Sequence, residues 1–211
     1  MTFSRARRPE QKQQRRDAIL AAARELAVKR GVREVSLGAL AAAVGLAKSN
    51  VVRYFGTREE VFLTLAAAEW RAWAEAVTAR LATGDGLVTV LVDTLAERHL
   101  FCDLLAHSPT SLEHNISVEA AREFKTVVIA TIAALGAQAA AADPSLPEQE
   151  ATELVMLATA LAGTLHAVTN PPPTIAELYA QDPEIAAVCP PFSPTLHRAL
   201  TACARGFQTM R

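Results

Sequence analysis

The chain has 211 residues, of which 51% are hydrophobic and 5% aromatic, and much of the hydrophobic fraction is alanine, the strongest helix former. With nine Gly, eleven Pro and no clear alternating apolar–polar run, the composition excludes a disordered or fibrous protein and predicts an all-α globular fold. The net charge of −1 hides an asymmetry. Residues 1–60 hold 13 Lys and Arg against 6 Asp and Glu, a balance of +7, whereas residues 61–211 hold 8 against 16, a balance of −8. A basic end on an acidic body indicates that the first part of the chain meets a polyanion.

The predicted N-terminal elements are a basic arm and three helices. Residues 1–9 are expected to form a flexible arm, because their arginines precede Pro9 with no apolar residue to pack. Helical spacing of apolar residues predicts the first helix, which Gly31 ends, and Ser36 is the N-cap of the second. The three helices are predicted over residues 10–30, 37–44 and 48–55.

The rest of the chain predicts a larger helical body, in which Gly, Pro and Asn separate five long helical patterns and short helical turns fill residues 174–192. The long helices are predicted over residues 58–82, 87–107, 117–142, 147–169 and 194–209. The two most apolar segments, 127–142 and 154–168, are shorter than the roughly 20 residues that a membrane-spanning helix needs. Residues 1–16 also lack the apolar stretch of a secretory signal. We therefore expect a soluble, cytoplasmic protein.

The second and third predicted helices form a helix-turn-helix. Gly45 allows the positive φ that the tight turn requires, and small residues before it let the two helices cross closely. Apolar side chains of both helices are predicted to face the first helix. The opposite side of the third helix presents hydrogen-bonding groups, which suit base edges in the major groove and the flanking phosphates. These candidate DNA contacts are Lys48, Ser49, Asn50, Arg53 and Tyr54.

The segment over residues 36–63, SLGALAAAVGLAKSNVVRYFGTREEVFL, resembles the signature of the TetR family of transcriptional regulators. The residues that carry the similarity are Gly45, Lys48, Tyr54, Phe55, Arg58 and Glu59. Ser49 stands where the family usually has Gly, and Val52 stands where Tyr is common, so the phosphate contact of that Tyr does not carry over to Val52. The resemblance implies a homodimer, DNA contact by the first three helices and a ligand cavity in the rest of the chain.

Supporting DNA contacts are expected at helix starts and in the arm. Ser36, Thr57 and Arg58 lie at the beginnings of predicted helices, where backbone N–H groups favour a phosphate. Arg7 and Arg8 are predicted to reach the DNA backbone or the minor groove.

We expect residues 1–57 to form the DNA-binding domain with its basic arm, and residues 58–211 to form the helical regulatory and dimerisation domain. The predicted helices 147–169 and 194–209 carry the most continuous apolar surface. As in relatives, they are expected to pair with their symmetry mates in a four-helix interface. The residues predicted for that interface are Leu154, Leu157, Leu161, Leu165, Leu196, Leu200 and Phe207.

The regulatory domain is expected to bind an apolar or weakly polar small molecule, because few charged residues fall on the helices that would line its cavity. Those helices are 58–82, 87–107 and 117–142. The candidate ligand contacts are Trp70, Trp73, His99, Phe101 and His166. The two tryptophans also fit an ordinary core role. His166 lies one turn from Asn170 and fits either a ligand contact or a dimer contact, and the sequence leaves both readings open.

Other functional classes find less support. The histidines lack the spacing of a zinc site and the three cysteines form no CxxC motif, so we expect no metal or cofactor. No nucleophile, histidine and acid order or phosphate loop indicates an enzyme. The sequence therefore predicts a ligand-responsive repressor that binds a pseudo-palindromic operator as a homodimer. Two alternatives stay open: a DNA-binding dimer without an effector, architectural or constitutive, and a helical small-molecule carrier. A redox role for Cys189, in a Pro-rich loop, also stays open.

Overall fold

The computed structural model describes the backbone of residues 7–210 and the side chains of residues 9–210. This part of the chain is all-α, as predicted, and contains no strand. A π-helical turn, Ser108–Leu112, follows the sixth helix. The helices are α1 (Arg7–Arg30), α2 (Leu37–Ala43), α3 (Lys48–Phe55), α4 (Arg58–Leu81), α5 (Leu87–Ala96), α6 (His99–His107), α7 (Val118–Ala142), α8 (Glu148–Thr169), α9 (Pro173–Gln181), α10 (Pro183–Ala186) and α11 (Phe192–Met210).

The first three helices form one unit that sits on α4. α1 packs against α2, α3 and α4, and its Ile19 and Ala23 are fully buried, as is Val51 of α3. Arg24 of α1 pairs with the buried Glu69 of α4 across the same contact. The apolar sides predicted for these helices therefore do face inward, and they fix α3 against α1.

The body is built around α7 and α8, which pack along each other. α7 also packs on α4, and α8 packs on α6 and α11. Two glycines allow the closest crossings. A Cβ at Gly136 of α7 would lie 2.0 Å from Thr152 Oγ1 of α8, and a Cβ at Gly163 of α8 would lie 2.9 Å from the Ala106 nitrogen of α6. At these two crossings the helices approach so closely that no larger residue fits without displacement.

Two predicted boundaries differ from the structure by more than two residues. α1 begins at Arg7, within the segment expected to be a flexible arm, because Pro9 fits the first turn of a helix, where a missing N–H costs no intrahelical bond. The predicted helix 87–107 is two helices, α5 and α6. Arg98 leaves the helical backbone between them, with φ −120° and ψ 65°, and its guanidinium donates to the Ala72 carbonyl of α4 at 3.2 Å.

The α9 and α10 helices stand out from the packed body. They contact each other, and neither contains a buried residue. In this segment between α8 and α11, several apolar side chains have an exposed fraction of one third or more. They are Ile175, Leu178, Ile185 and Val188.

α7 and α8 have 25 and 22 residues, longer than the apolar segments seen in the sequence. By length and composition alone, both could cross a membrane. In the folded chain they pack against other helices, and 28% and 39% of their most apolar stretches are buried. Core helices of globular proteins meet the same length criterion, so the finding assigns no membrane role.

Candidate functional site

The turn between α2 and α3 is closed by hydrogen bonds from its own backbone. Gly45 has φ +64°, in the left-handed region that favours glycine. Its N–H donates to the Ala42 carbonyl at 3.2 Å, and the Leu46 N–H donates to the Ala41 carbonyl at 2.9 Å. The two bonds form a Schellman motif, which satisfies carbonyls that the end of α2 would otherwise leave unpaired. Gly45 thus holds the turn that sets the angle between the two helices.

α3 buries two of its apolar side chains and exposes mostly polar ones, apart from Val52, which is 42% exposed. Val51 is 0% exposed and Phe55 is 4% exposed, and both belong to the core. The exposed or half-buried side chains of the other side are Lys48, Ser49, Asn50, Arg53 and Tyr54. The structure therefore brings the five candidate contacts together on one short helix, with charged, amide and hydroxyl groups available to a partner.

Arg16 of α1 holds the C-terminal end of α3. Its guanidinium donates to the Tyr54 carbonyl and lies 4.2 Å from the centre of the Phe55 ring. A cation above an aromatic face is attracted by the ring quadrupole, so this contact helps to fix α3 relative to α1. Arg7 and Arg8, predicted as arm contacts, belong to the backbone of α1, but their side chains lie outside the described residues.

Ser36 and Thr57 are the N-caps of α2 and α4. Ser36 Oγ accepts from the Ala39 N–H at 3.1 Å, and Thr57 Oγ1 accepts from the Glu60 N–H at 3.1 Å. Each hydroxyl retains its own O–H to donate, which leaves both as candidates for a phosphate contact. The Glu60 carboxylate accepts from the Ser117 N–H at 2.8 Å, and this bond ties the start of α4 to the start of α7.

The Arg58 side chain points into the protein, whereas the sequence predicted that it would contact a phosphate. Its guanidinium donates to the backbone carbonyls of Val32 and Val35 and lies 3.2 Å from the Glu59 carboxylate. The side chain is only 18% exposed, and its guanidinium is 4.8 Å from the centre of the Phe62 ring. This corrects the phosphate contact predicted for Arg58. The side chain uses its donors inside the protein, where it ties the loop between α1 and α2 to α4.

The aromatic residues predicted as ligand contacts form a core cluster instead. Trp70, Trp73 and Phe101 are at most 4% exposed, and their ring centres lie 5.2–5.6 Å apart. The Trp73 indole N–H donates to Thr94 Oγ1 at 2.9 Å, so its polar atom is also satisfied inside the protein. Of the two roles that the sequence left open for the tryptophans, the structure supports core packing, and the same correction applies to Phe101.

A cleft of about 680 Å³ lies between the N-terminal unit and the body. Its first wall is the C-terminal end of α1 with the loop that follows, and its second wall is α6, the end of α8 and the prolines after α8. His99 and His166, both predicted ligand contacts, line this cleft with ring centres 6.1 Å apart. The observed cleft therefore lies elsewhere than the cavity expected among helices 58–82, 87–107 and 117–142. Of these predicted helices, only the part that forms α6 lines the cleft.

Asp103 of α6 connects the two walls of the cleft. Its Oδ2 accepts from the Val32 N–H at 2.7 Å, and its Oδ1 lies 3.4 Å from His107 Nε2. Burial raises the pKa of Asp103, but the contacts with His107 and Val32 and the nearby His166 lower it by more. The pKa of this carboxyl is thus below its ordinary value, and the carboxylate is charged near neutral pH. No motif marks Asp103 in the sequence, because a single acid on a helix side is common.

The pKa of His166 lies below its ordinary value, which favours the neutral imidazole near neutral pH. Burial is the largest influence and lowers the pKa of His166, the charges of His99 and His107 act in the same direction, and Asp103 opposes them. Nδ1 of the ring lies 3.3 Å from the side-chain nitrogen of Asn170. A neutral imidazole has one donor and one acceptor nitrogen, so His166 brings hydrogen-bonding capacity to the cleft without a charge.

The residues predicted for a dimer interface fall into two groups. Leu154, Leu196 and Leu200 are at most 1% exposed within one protomer, in the core where α8 packs on α11. This corrects their assignment to a surface between protomers, since helical spacing does not reveal which partner covers an apolar side. The half-buried members of the set are Leu157, Leu161, Leu165 and Phe207.

Two family models match the chain. Residues 19–65 match the model of the tetR family of bacterial regulatory proteins, and residues 67–211 match the model of the tetracyclin repressor-like C-terminal domain. The first match covers the helix-turn-helix and the start of α4, and the second covers the remaining body. A comparison with curated proteins finds no match.

Solved structures with a similar fold cover most of the chain. The multidrug binding protein EbrR, complexed with imidazole, is 17% identical with a TM-score of 0.58 and covers 90% of this chain and 94% of its own. FadR of Thermus thermophilus, a TetR-family transcriptional repressor in complex with lauroyl-CoA, is 20% identical with a TM-score of 0.55, covering 90% and 91%. A protein of Streptomyces coelicolor A3(2), described as a possible TetR-family regulator, is 15% identical with a TM-score of 0.58, covering 93% and 100%. At these identities the similarity concerns the fold.

Proposed function

The chain belongs to the TetR family of transcriptional regulators, and from that premise we propose that it is a cytoplasmic repressor that binds a pseudo-palindromic operator as a homodimer and is released by a small molecule. Regulators of this family are DNA-binding transcription factors rather than enzymes, so the proposal includes no reaction. The observation that carries it is the polar outward side of α3. The proposed DNA contacts are Lys48, Ser49, Asn50, Arg53, Tyr54, Ser36 and Thr57, with Arg7 and Arg8 from the N-terminal segment.

The outward side of α3 has the chemistry of a recognition helix. Arg53 suits the paired acceptors of guanine and Asn50 suits the donor and acceptor of adenine, while Lys48 supplies charge for a phosphate. Val51 and Phe55 anchor the opposite side in the core. A helix fixed in this way can enter a major groove without losing the order of its side chains.

A homodimer would hold two such helices about one turn of DNA, roughly 34–36 Å, apart. Apolar side chains that stay exposed or half-buried in one protomer favour an interface with a second copy of the chain. Met156 of α8 is 52% exposed, and Leu157, Leu161, Leu165 and Phe207 are only half-buried. α9 and α10, which lie between α8 and α11 in the sequence, also expose apolar side chains.

Contacts between the two units support release by a small molecule. Asp103 of α6 and Arg58 of α4 both bond to the loop that leads from α1 into α2. A ligand that prefers one position of α6 relative to α1 would therefore shift the equilibrium position of the helix-turn-helix. The EbrR and FadR structures are described as complexes with imidazole and with lauroyl-CoA, so proteins with this fold do hold small molecules.

A second candidate is a DNA-binding dimer without an effector. The packed aromatic cluster of Trp70, Trp73 and Phe101 favours it, because these rings fill the place where a ligand was expected. The cleft between α1, α6 and α8 favours the ligand-responsive regulator. Release of the bound DNA by a compound would support the regulator, whereas a complex that no compound dissociates would support the second candidate.

Selection of bound duplexes from a random pool tests the proposed DNA binding. The full chain should enrich a pseudo-palindrome with half-sites centred about 10 base pairs apart. Enrichment of a lone half-site would contradict the dimer, and no enrichment would contradict operator binding. In sedimentation experiments, Leu161→Asp should yield monomers, whereas Val118→Asp, at a position that is 75% exposed on α7, should leave the dimer intact.

A further inference from the structure

The cleft between α1, α6 and α8 is a candidate binding site that lies apart from the aromatic core of the body. Its volume of about 680 Å³ falls within the range of roughly 300–1,000 Å³ that is usual for small-molecule sites. The N-terminal unit contributes one wall through Val28 and Gly31, and the body contributes the other through α6 and α8. An occupant would therefore touch both units at once.

The formal charges around the cleft balance one another. Arg30 and Arg33 line it together with Glu34 and Asp103. A carboxylate or an ammonium on a ligand would meet a repelling group as well as an attracting one, and it would also lose hydration on entry. The balance favours a ligand without formal charge.

The inner polar groups suit a hydroxyl. The Asp103 carboxylate already accepts from the Val32 N–H and faces His107, but a carboxylate has about four acceptor positions and has room for an O–H donor. The His166 ring contacts the Asn170 amide through Nδ1, and in the tautomer that this contact favours, its other nitrogen carries a hydrogen. The cleft is thus lined by both an acceptor and a donor.

Flat surfaces complete the cleft. The imidazoles of His99 and His166 lie 6.1 Å apart at an angle of 49°, and Leu100 and the segment 171–173, three consecutive prolines, add apolar walls. Among the described residues, no group of three or more His, Cys, Asp or Glu side chains is arranged to hold a metal ion. The rings of His99 and His166 offer flat surfaces against which an organic ring can pack.

We propose that this cleft binds a neutral aromatic alcohol, with the hydroxyl donating to the Asp103 carboxylate and the ring against the proline and imidazole surfaces. Bound there, the molecule lies beside the Asp103–Val32 hydrogen bond that joins the body to the N-terminal unit. The role of such a molecule in releasing DNA rests on the proposed function. The binding itself does not.

Calorimetric titration of the full chain with 2-naphthol tests the ligand class. This compound is neutral near neutral pH, whereas 2-naphthoate and 2-naphthylmethylammonium carry the same ring system with a negative or a positive charge. We expect 2-naphthol to bind at least about tenfold more tightly than either analogue, since a hydrogen bond to a carboxylate contributes roughly that factor. Absence of 2-naphthol binding, or tighter binding of either charged analogue, would overturn the proposal.

Variants of residues that line the cleft test whether 2-naphthol binds there. Ala167→Trp, at an exposed position on the cleft wall, should block the site and abolish binding. His166→Leu should weaken binding about tenfold because it removes a polar partner. His114→Ala is the matched control, since His114 is exposed and does not line the cleft. Binding that persists unchanged in Ala167→Trp would overturn the site.

Addition of 2-naphthol to the complex with the selected operator then tests the effector role by itself. Release of DNA by 2-naphthol supports this role, and a complex that stays intact when the cleft is saturated contradicts it. If the chain selects no duplex, the proposed function fails while the calorimetric result for the cleft stands.

Discussion

The outward side of α3 and the cleft between α1, α6 and α8 both offer hydrogen-bonding groups, but they are built in opposite ways. α3 carries its polar groups on one eight-residue helix whose other side is locked in the core. The cleft is assembled from segments distant in the sequence, such as Gly31, Asp103 and His166, that belong to two units. A surface on one helix keeps its form when units move, whereas a surface shared by two units changes with their relative position. The first suits recognition and the second suits regulation.

The largest effect we predict comes from the cluster of Trp70, Trp73 and Phe101. A variant in this cluster tests whether the rings are core residues or ligand contacts. Trp73→Ala should lower the free energy of unfolding by about 3–5 kcal/mol, because it removes a fully buried indole and leaves Thr94 without its donor. Chemical denaturation measures this loss. Val118→Ala, at an exposed position, should change stability by no more than about 0.5 kcal/mol. A Trp73→Ala protein of unchanged stability that had lost affinity for 2-naphthol would instead make the cluster a ligand site.

The N-terminal unit could be predicted nearly element by element, because local signals determine it. Gly31, Ser36 and Gly45 mark helix boundaries that the chain carries in its own sequence. The spacing of apolar residues likewise identifies the buried side of α3, with Val51 at its centre. The bounds of α2 and α3 agree with the predicted ranges to within one residue.

The internal contacts of Arg58 and the cleft could not be predicted, because contacts between distant segments determine them. An arginine such as Arg58, in the first turn of a helix, has the same local sequence whether it faces a phosphate or buried carbonyls. The spacing of Leu154 and Leu196 defines an apolar side but not the partner that covers it. Asp103 acquires its role only when α6 meets the loop after α1.

An Arg58 variant should have an effect of intermediate size. It distinguishes a structural role of this side chain from a DNA contact. Arg58→Met keeps much of the apolar stem but removes the donors to Val32 and Val35, and we expect stability to fall by about 1–3 kcal/mol. The slope of log affinity against log salt should stay unchanged, whereas loss of a phosphate contact would reduce it by about 0.9. Arg71→Met, exposed on the same helix, is the control and should change stability by no more than about 0.5 kcal/mol. A reduced slope with unchanged stability would make Arg58 a DNA contact.

The smallest predicted effect concerns pH and the cleft. Because the folded protein lowers the pKa of His166 below its ordinary 6.5, chiefly through burial, the unfolded chain binds that proton more readily. His166 therefore lowers stability as pH falls through its ordinary pKa, and the loss continues down to its folded value. Asp103, His99 and His107 are the other ionisable groups that act on the same imidazole.

His166→Leu removes this contribution, so its melting temperature should fall less steeply than that of the wild type between about pH 7 and pH 5. His114→Ala should follow the wild type. Equal slopes for His166→Leu and the wild type would show that burial of the imidazole has no energetic consequence.

Operator affinity of an α3 variant decides whether the outward side of this helix is the DNA surface. Asn50→Ala combined with Arg53→Ala should weaken binding about 100-fold or more, because each paired base contact contributes about 1–3 kcal/mol. Arg122→Ala, which removes an exposed arginine of α7, should leave affinity within about twofold, as expected of a charge distant from the DNA. Fluorescence anisotropy with the selected duplex measures both variants, and circular dichroism verifies that they fold. If the double variant binds the operator as tightly as the wild type, α3 is not the recognition helix and the interpretation is contradicted.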